Sequence, residues 1–293
     1  MKIDTFYFGT HKLIIHHNGT LIPHTLHTLF ALPLLPTIQI TNIYVEEAEE
    51  FNVDSSVYPL VYASEEMNVY SNNLDEIRIY GESEGRKGLG HIKSSYNNNQ
   101  VCVQLHNAFH TYWHNYSFQI LNYTFIERLL LNTNAMILHS CFIEYQGQAI
   151  LFTAPSGTGK TTQGKLWEKY ESAHIVNGDR CLIQKYNNSF WACGYYLHGS
   201  AAECENKLLP IKAIVIVRQS SDDYIEEPNF INKLQWIYSE TTVNKWNKDQ
   251  VNKTIDLISE LVLQTNVIIQ RCTMNKTALH TLKHYLFDEE QEE

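Results

Sequence analysis

No two of the six cysteines (Cys102, Cys141, Cys181, Cys193, Cys204 and Cys272) form a CxxC pair, and together they make no dense disulfide framework. Such spacing suits reduced thiols in a cytoplasmic protein. A basic stripe is missing as well. The 22 Lys and Arg residues are scattered among 32 Asp and Glu, for a net charge of -10, which argues against a nucleic-acid partner. No apolar run reaches the ~20 residues that a membrane helix needs. The best attempt, Leu26 to Ile40, is broken by Pro33 and Pro36. The first residues, MKIDTFYFGT, lack a basic segment leading into an apolar run, so no signal peptide is expected. The triplets Asn18 to Thr20 and Asn122 to Thr124 match glycosylation acceptors, but without secretion they carry no meaning. There is no internal repeat.

What remains is an ordinary globular composition, 44% hydrophobic and 18% charged, over 293 residues. That length suits two domains. Short bursts of apolar and polar residues at Thr5 to Phe8, Lys12 to Ile15, Ile38 to Val45, Val57 to Tyr62, Glu76 to Tyr80 and Gln100 to Leu105 predict a strand-rich region. Gly81, Gly85, Gly88 and Gly90 read as a flexible turn, since no apolar strand leads in and no helix follows. A helical period from Tyr116 to Leu131 places the domain boundary near residue 116, giving domains 1–115 and 116–293. Beyond it, strands are expected at Met136 to Leu138, Ala149 to Thr153, Ala173 to Val176, Ile211 to Val217 and Val267 to Ile269. Helices are expected at Lys160 to Tyr170, Thr254 to Leu263 and Lys276 to Leu286, and the alternation predicts an α/β domain.

Residues 154–161 read Ala-Pro-Ser-Gly-Thr-Gly-Lys-Thr, a P-loop pattern with Ala in place of the first glycine. In such a loop Gly157 and Gly159 free the backbone so that its N–H groups, with Ser156 and Thr158, surround phosphate oxygens. Lys160 reaches the β and γ phosphates, Thr161 puts its hydroxyl on magnesium, and the helix that opens through Thr162 adds its positive end. The predicted ligands are therefore ATP and Mg2+. The metal needs an acidic partner, and Asp179, at the end of His174-Ile-Val-Asn-Gly-Asp-Arg180, is the natural one. Asp179 also fits a simple turn aspartate.

With Leu138-His-Ser-Cys141, Ser156 to Thr162, Asn177-Gly-Asp-Arg180, Leu209 to Val217 and Cys272-Thr-Met-Asn275, the chain resembles the family of HPr serine kinase/phosphatase and phosphoenolpyruvate carboxykinase. It is most similar to small members that phosphorylate precursor peptides such as lasso peptides. The likeness covers roughly residues 125–287. It implies a P-loop α/β catalytic domain behind a strand-rich recognition domain, and transfer of the γ-phosphoryl group of ATP to a serine-type hydroxyl. His139 matches the family's histidine near the γ-phosphate or acceptor, so His139, Asp179 and Lys160 are the expected catalytic residues. The family carries two adjacent aspartates where this chain has Gly178-Asp179. Asp179 then serves alone, or another carboxylate such as Glu203 or Glu205 helps. Tyr195-Tyr-Leu-His-Gly199 replaces a Pro-Trp-rich segment of these relatives.

His106, His110 and His114 are spaced for one helix face, but their aromatic neighbours Phe109, Tyr112, Trp113 and Tyr116 favour a packed face, so no transition metal is expected. Arg218 and Arg271, each ending a predicted strand, fit either phosphate contact or surface pairing. The expected partner is a peptide or protein with an acceptor serine, with no nucleic acid and no membrane; self-association is left open. A small-molecule kinase and a non-catalytic nucleotide-binding subunit are the alternatives.

Overall fold

The computed structural model describes residues 1–19, 28–72, 74–81, 91–97, 100–109, 117–198 and 203–288. The chain divides into two compact units, Met1–Thr133 with Asn244–Lys248, and Asn134–Val243 with Asp249–Glu293. Each is built on a large sheet, and the protein is mixed α/β.

The first unit has strands β1 (Lys2–Phe8), β2 (His11–His17), β3 (Gln39–Ala48), β4 (Leu60–Ala63), β5 (Met67–Ser71), β6 (Glu76–Tyr80), β7 (Ile92–Asn97) and β8 (Gln100–His106). They form one sheet in the order β1-β2-β3-β8-β7-β6-β5-β4. The β2–β3 and β3–β8 pairs are parallel and the remaining neighbours antiparallel. Alternation explains the strands: in β2, His11, Leu13, Ile15 and His17 are buried and the residues between them are not. Helix α1 (Ile126–Leu131) buries Ile126, Leu129 and Leu130.

A paired charge cluster sits inside this unit. Arg78 Nε donates to Glu76 Oε1 at 2.7 Å and Arg78 Nη2 faces Glu127 Oε1 at 2.8 Å, with the guanidinium 4.3 Å from the Phe125 ring centre. Pairing of this kind offsets the cost of burying each charge alone. Asn244 Nδ2 also donates to Glu127 Oε1, at 2.9 Å, and Trp246 stacks near Tyr62 and Arg78. These contacts tie the 244–248 segment to the first unit.

The expected boundary near residue 116 therefore falls inside the first unit. Phe125, α1 and Thr133 all belong to it, and Phe125, Ile126, Leu129 and Leu130 are buried. The expected helix is also shorter. A 3₁₀ stretch covers Ser117–Tyr123, and Phe125 with φ 57° breaks the path before α1. Gly85, Gly88, Gly90, His110, His114, Tyr112, Trp113, Tyr116 and Gly199 lie outside the described residues. His106 meets Phe51 edge-on, and its Nδ1 accepts the Ala108 N–H.

The second unit contains β9 (Ala135–Tyr145), β10 (Gln148–Thr153), α2 (Lys160–Glu171), β11 (His174–Asn177), β12 (Arg180–Tyr186), β13 (Ser189–Cys193), β14 (Leu208–Gln219), β15 (Tyr224–Glu226), α3 (Phe230–Glu240), α4 (Lys248–Gln264), β16 (Val267–Cys272) and α5 (Lys276–Lys283). Its strands run in the order β10-β9-β12-β13-β14-β16-β15, with β11 beside β9. β10 also pairs with β14, so the path from β10 through β9, β12 and β13 to β14 returns on itself. Trp167 of α2 and Leu279 and Leu282 of α5 pack with Ile150 and Phe152 of β10 and Val215 and Val217 of β14. Burying each such side chain stabilises the fold by about 1.5–3 kcal/mol. All six cysteines are free. Among the described residues no helix is long and apolar enough to cross a membrane.

Candidate functional site

Residues 154–159 join β10 to α2. β10 is buried from Ala149 to Thr153 and lies between β9 and β14, so the turn emerges at the carboxyl end of an interior strand. Ligands of α/β sheets gather at that end. Gly157 (φ 78°) and Gly159 (φ 115°) hold the left-handed backbone that favours glycine. A methyl group on Gly159 would also meet Met274 Cε at 2.3 Å.

Lys160 opens α2 and is 6% exposed. Its Nζ donates to Ala154 O at 2.7 Å and Pro155 O at 3.3 Å, so the loop carbonyls hold the ammonium where the loop turns. Burial lowers its pKa below the ordinary lysine value, opposed by the charges of Glu240 and then Asp179. Thr161 Oγ1 donates to Gly178 O at 3.3 Å, which sets the helix start against the 177–180 turn.

Asn177 shapes that turn. Its Oδ1 accepts the N–H groups of Asp179 and Arg180, both at 2.9 Å, and its Nδ2 donates to Tyr195 O at 2.7 Å and Leu197 O at 2.9 Å. A fully buried amide with these partners costs nothing in lost hydrogen bonds and fixes where Asp179 sits.

Asp179 Oδ1 lies 3.3 Å from His139 Nε2, and its Oδ2 accepts from Arg180 Nε at 3.1 Å. The hydrogen bond from His139 is the largest cause holding the Asp179 carboxyl below the usual carboxylate range. Burial opposes it and Arg180 adds to it. His139 is carried by β9, and its carbonyl accepts from Thr153 Oγ1 at 2.9 Å. On its other side, His139 Nδ1 lies 3.2 Å from Glu240 Oε2. The imidazole is thus placed between two carboxylates.

His139, Ser156, Gly157, Gly159, Lys160, Thr161, Thr162 and Asp179 line one cavity of about 290 Å³, together with Gly178 and His198. Thr158 does not line it. Its Oγ1 donates to Pro155 O at 2.8 Å, and its carbonyl accepts from Gln219 Nε2 at 3.2 Å, so it braces the loop.

Glu203 and Glu205, candidate helpers whose first reading is a solvated loop charge, do not line the cavity; Glu205 pairs with His174 Nε2 at 2.7 Å. The carboxylate beside the site is Glu240, which sequence reasoning missed because it lies 101 residues from His139 in the chain and belongs to no local motif. Arg271 pairs with Glu226 at 3.1 Å and Arg218 stacks 3.6 Å over Trp236, and neither lines the cavity.

The donors suit a hard cation held against phosphate. Thr161 offers a hydroxyl and Asp179 a carboxylate, and both are oxygen ligands of the kind Mg2+ takes while keeping waters and phosphate oxygens for its other positions. The described residues contain no group of three or more His, Cys, Asp or Glu able to hold a metal.

No protein-family model matches the chain. No curated protein matches it. Among solved structures it is similar to the Hpr(Ser) kinase/phosphatase from Coxiella burnetii, with a TM-score of 0.32 and 10% identity, over 53% of this chain and 98% of that one.

Proposed function

We propose that the protein is a magnesium-dependent kinase that transfers the γ-phosphoryl group of ATP to a serine-type hydroxyl of a peptide or protein. The observation that carries this reading is a glycine turn between β10 and α2 whose Lys160 and Thr161 share one cavity with Asp179 and His139. Phosphoryl transfer asks little covalent chemistry of a protein beyond positioning, charge neutralisation and a place for one proton. Bound magnesium nucleotide supplies the phosphoryl group and a leaving group already partly neutralised. The loop N–H groups and Lys160 would hold phosphate oxygens, while Thr161 and Asp179 would hold the cation. In the transfer, the acceptor oxygen forms a bond to the γ-phosphorus as the bond to the bridging oxygen breaks, and the bridging oxygen keeps the electron pair. The hydroxyl proton would pass to the Asp179 carboxylate, which His139 faces.

One observation favours a second reading, a nucleotide-binding subunit without transfer. With Gly178 beside it, Asp179 is the one carboxylate among the described residues that line the cavity. The two readings separate in one experiment on purified protein, in which magnesium ATP binding is measured by calorimetry and ADP release by a coupled assay. Wild type is expected to do both. Lys160→Ala is expected to lose turnover by at least ~100-fold, because its ammonium offsets charge that develops on the phosphoryl oxygens. Its circular dichroism spectrum should stay native. Undiminished turnover in a folded Lys160→Ala protein would remove the reading.

A further inference from the structure

Glu240 is the last residue of α3, where the partial negative charge of the helix end disfavours a carboxylate. Its side chain is nonetheless only 10% exposed. The fold holds it there deliberately close to β9. Thr241 bridges to Leu138, and the Thr242 N–H donates to Ile137 O at 2.9 Å, so the helix end is fastened to the strand segment that immediately precedes His139. Thr241 Oγ1 closes the last turn on Ile237 O at 2.7 Å, and Ile237 is the buried anchor of the helix. Ser239 Oγ lies 3.4 Å from Glu240 Oε1, leaving Oε2 for His139 Nδ1 at 3.2 Å.

The two carboxylates on His139 are not equivalent. Asp179 is 30% exposed and its second oxygen is committed to Arg180, whereas Glu240 is the drier of the two. Hydrogen bonds to charge strengthen where water is excluded. A carboxylate accepts only, so each of the two contacts holds only while the nitrogen facing it carries a proton, Nδ1 toward Glu240 as Nε2 toward Asp179.

We propose that Glu240 is a positioning residue for His139: it accepts the Nδ1–H, fixes the ring's orientation, and keeps Nε2 turned toward Asp179 and the cavity. The proposal deepens the kinase reading and rests on it for its catalytic consequence, but the state of the ring does not. The same logic operates wherever an acid fixes a working histidine from behind. Glu240 touches no reacting atom in this arrangement. It acts through His139.

The test uses the full-length protein and the variants Glu240→Ala, Glu240→Gln, His139→Ala and the double variant His139→Ala/Glu240→Ala. Long-range proton–nitrogen NMR of the ligand-free protein at one fixed pH reads which His139 nitrogen bears a proton. Wild type and Glu240→Gln, which keeps an accepting oxygen, should both show the proton on Nδ1, and Glu240→Ala should lose it. In turnover assays Glu240→Ala should lower kcat by about 10- to 100-fold with the KM for ATP unchanged, the usual cost of removing an orienting partner. Glu240→Gln should recover most of that loss. In the His139→Ala background, Glu240→Ala should add only the small loss that follows from its charge facing Lys160. An Nδ1 without a proton in wild type, or a ring state identical in wild type and Glu240→Ala, overturns the proposal. So does a full rate loss from Glu240→Ala when His139 is already absent, which would mark Glu240 as a structural brace. Should wild type show no turnover at all, the kinase reading fails, and the ring state in the ligand-free protein still decides what Glu240 does.

Discussion

Lys160 illustrates how a charged side chain is kept usable inside this protein. Two loop carbonyls receive its ammonium, and Glu240 and Asp179 balance its charge from across the cavity, so burial lowers its pKa without leaving it unpartnered. Asp179 is tuned the opposite way, with His139 and Arg180 holding its charged form. Under the proposed function a lone carboxylate so stabilised would serve the metal, which gives Gly178 a clear prediction. Gly178→Asp should leave ADP production within about threefold of wild type, or lower it, because a second acid crowds a turn already organised by Asn177. A rise from near zero would instead mark Gly178 as the lesion of a retired enzyme. The coupled assay used for Lys160→Ala reads either result. At this scale the sequence was informative wherever chemistry is contiguous. Residues 156–162 announce themselves by glycine spacing, and the 177–180 run lies one helix further on. Glu240 was illegible because a folded helix end, and no spacing, brings it to His139.

Among the elements, β10, α2, β14 and β16 fall close to their expected positions because each is buried along its length or follows a glycine turn. α3 went unread although Phe230, Leu234, Ile237 and Tyr238 fall at helical spacing, and of its residues only Ile237 is buried. The Val57 to Tyr62 expectation reduces to β4, an edge strand with all four residues exposed, where apolar residues face water in place of a core. β2 carries the clearest pH-dependent feature. His11 on β2 is 1% exposed and bonded through Nε2 to Thr41 of β3 at 2.9 Å, and burial lowers its pKa to about 4. Its unfolded value is 6.5, so as pH falls the unfolded chain takes the proton first. The contribution is whole above pH ~6.5 and drains away between there and about 4, on the order of 3 kcal/mol in all. Urea unfolding of wild type and His11→Gln across pH 7.5 to 4 checks it. The gap between the two should close or reverse toward acid, and a constant gap would show that His11 does not titrate on unfolding.

On the scale of the whole molecule, two units share one chain, and the division was legible in outline only. A strand-rich first part followed by an alternating second part is what the composition of short bursts and long apolar runs predicts. The join at Thr133 and the return of residues 244–248 to the first unit are not visible locally, since they depend on Asn244 meeting Glu127 and Trp246 meeting Arg78. Among the described residues, those that line the cavity belong to the second unit. We assign the first unit to acceptor recognition within the proposed function. The claim on which all of this turns is phosphoryl transfer itself. Wild-type protein incubated with magnesium and ATP labelled on the γ-phosphate, in the presence of a pool of serine-containing peptides, should move label onto serine oxygen, and Asp179→Asn should slow that transfer by at least ~100-fold while still binding nucleotide. Label that stays on the nucleotide in wild type, despite measurable ATP binding, would contradict the account.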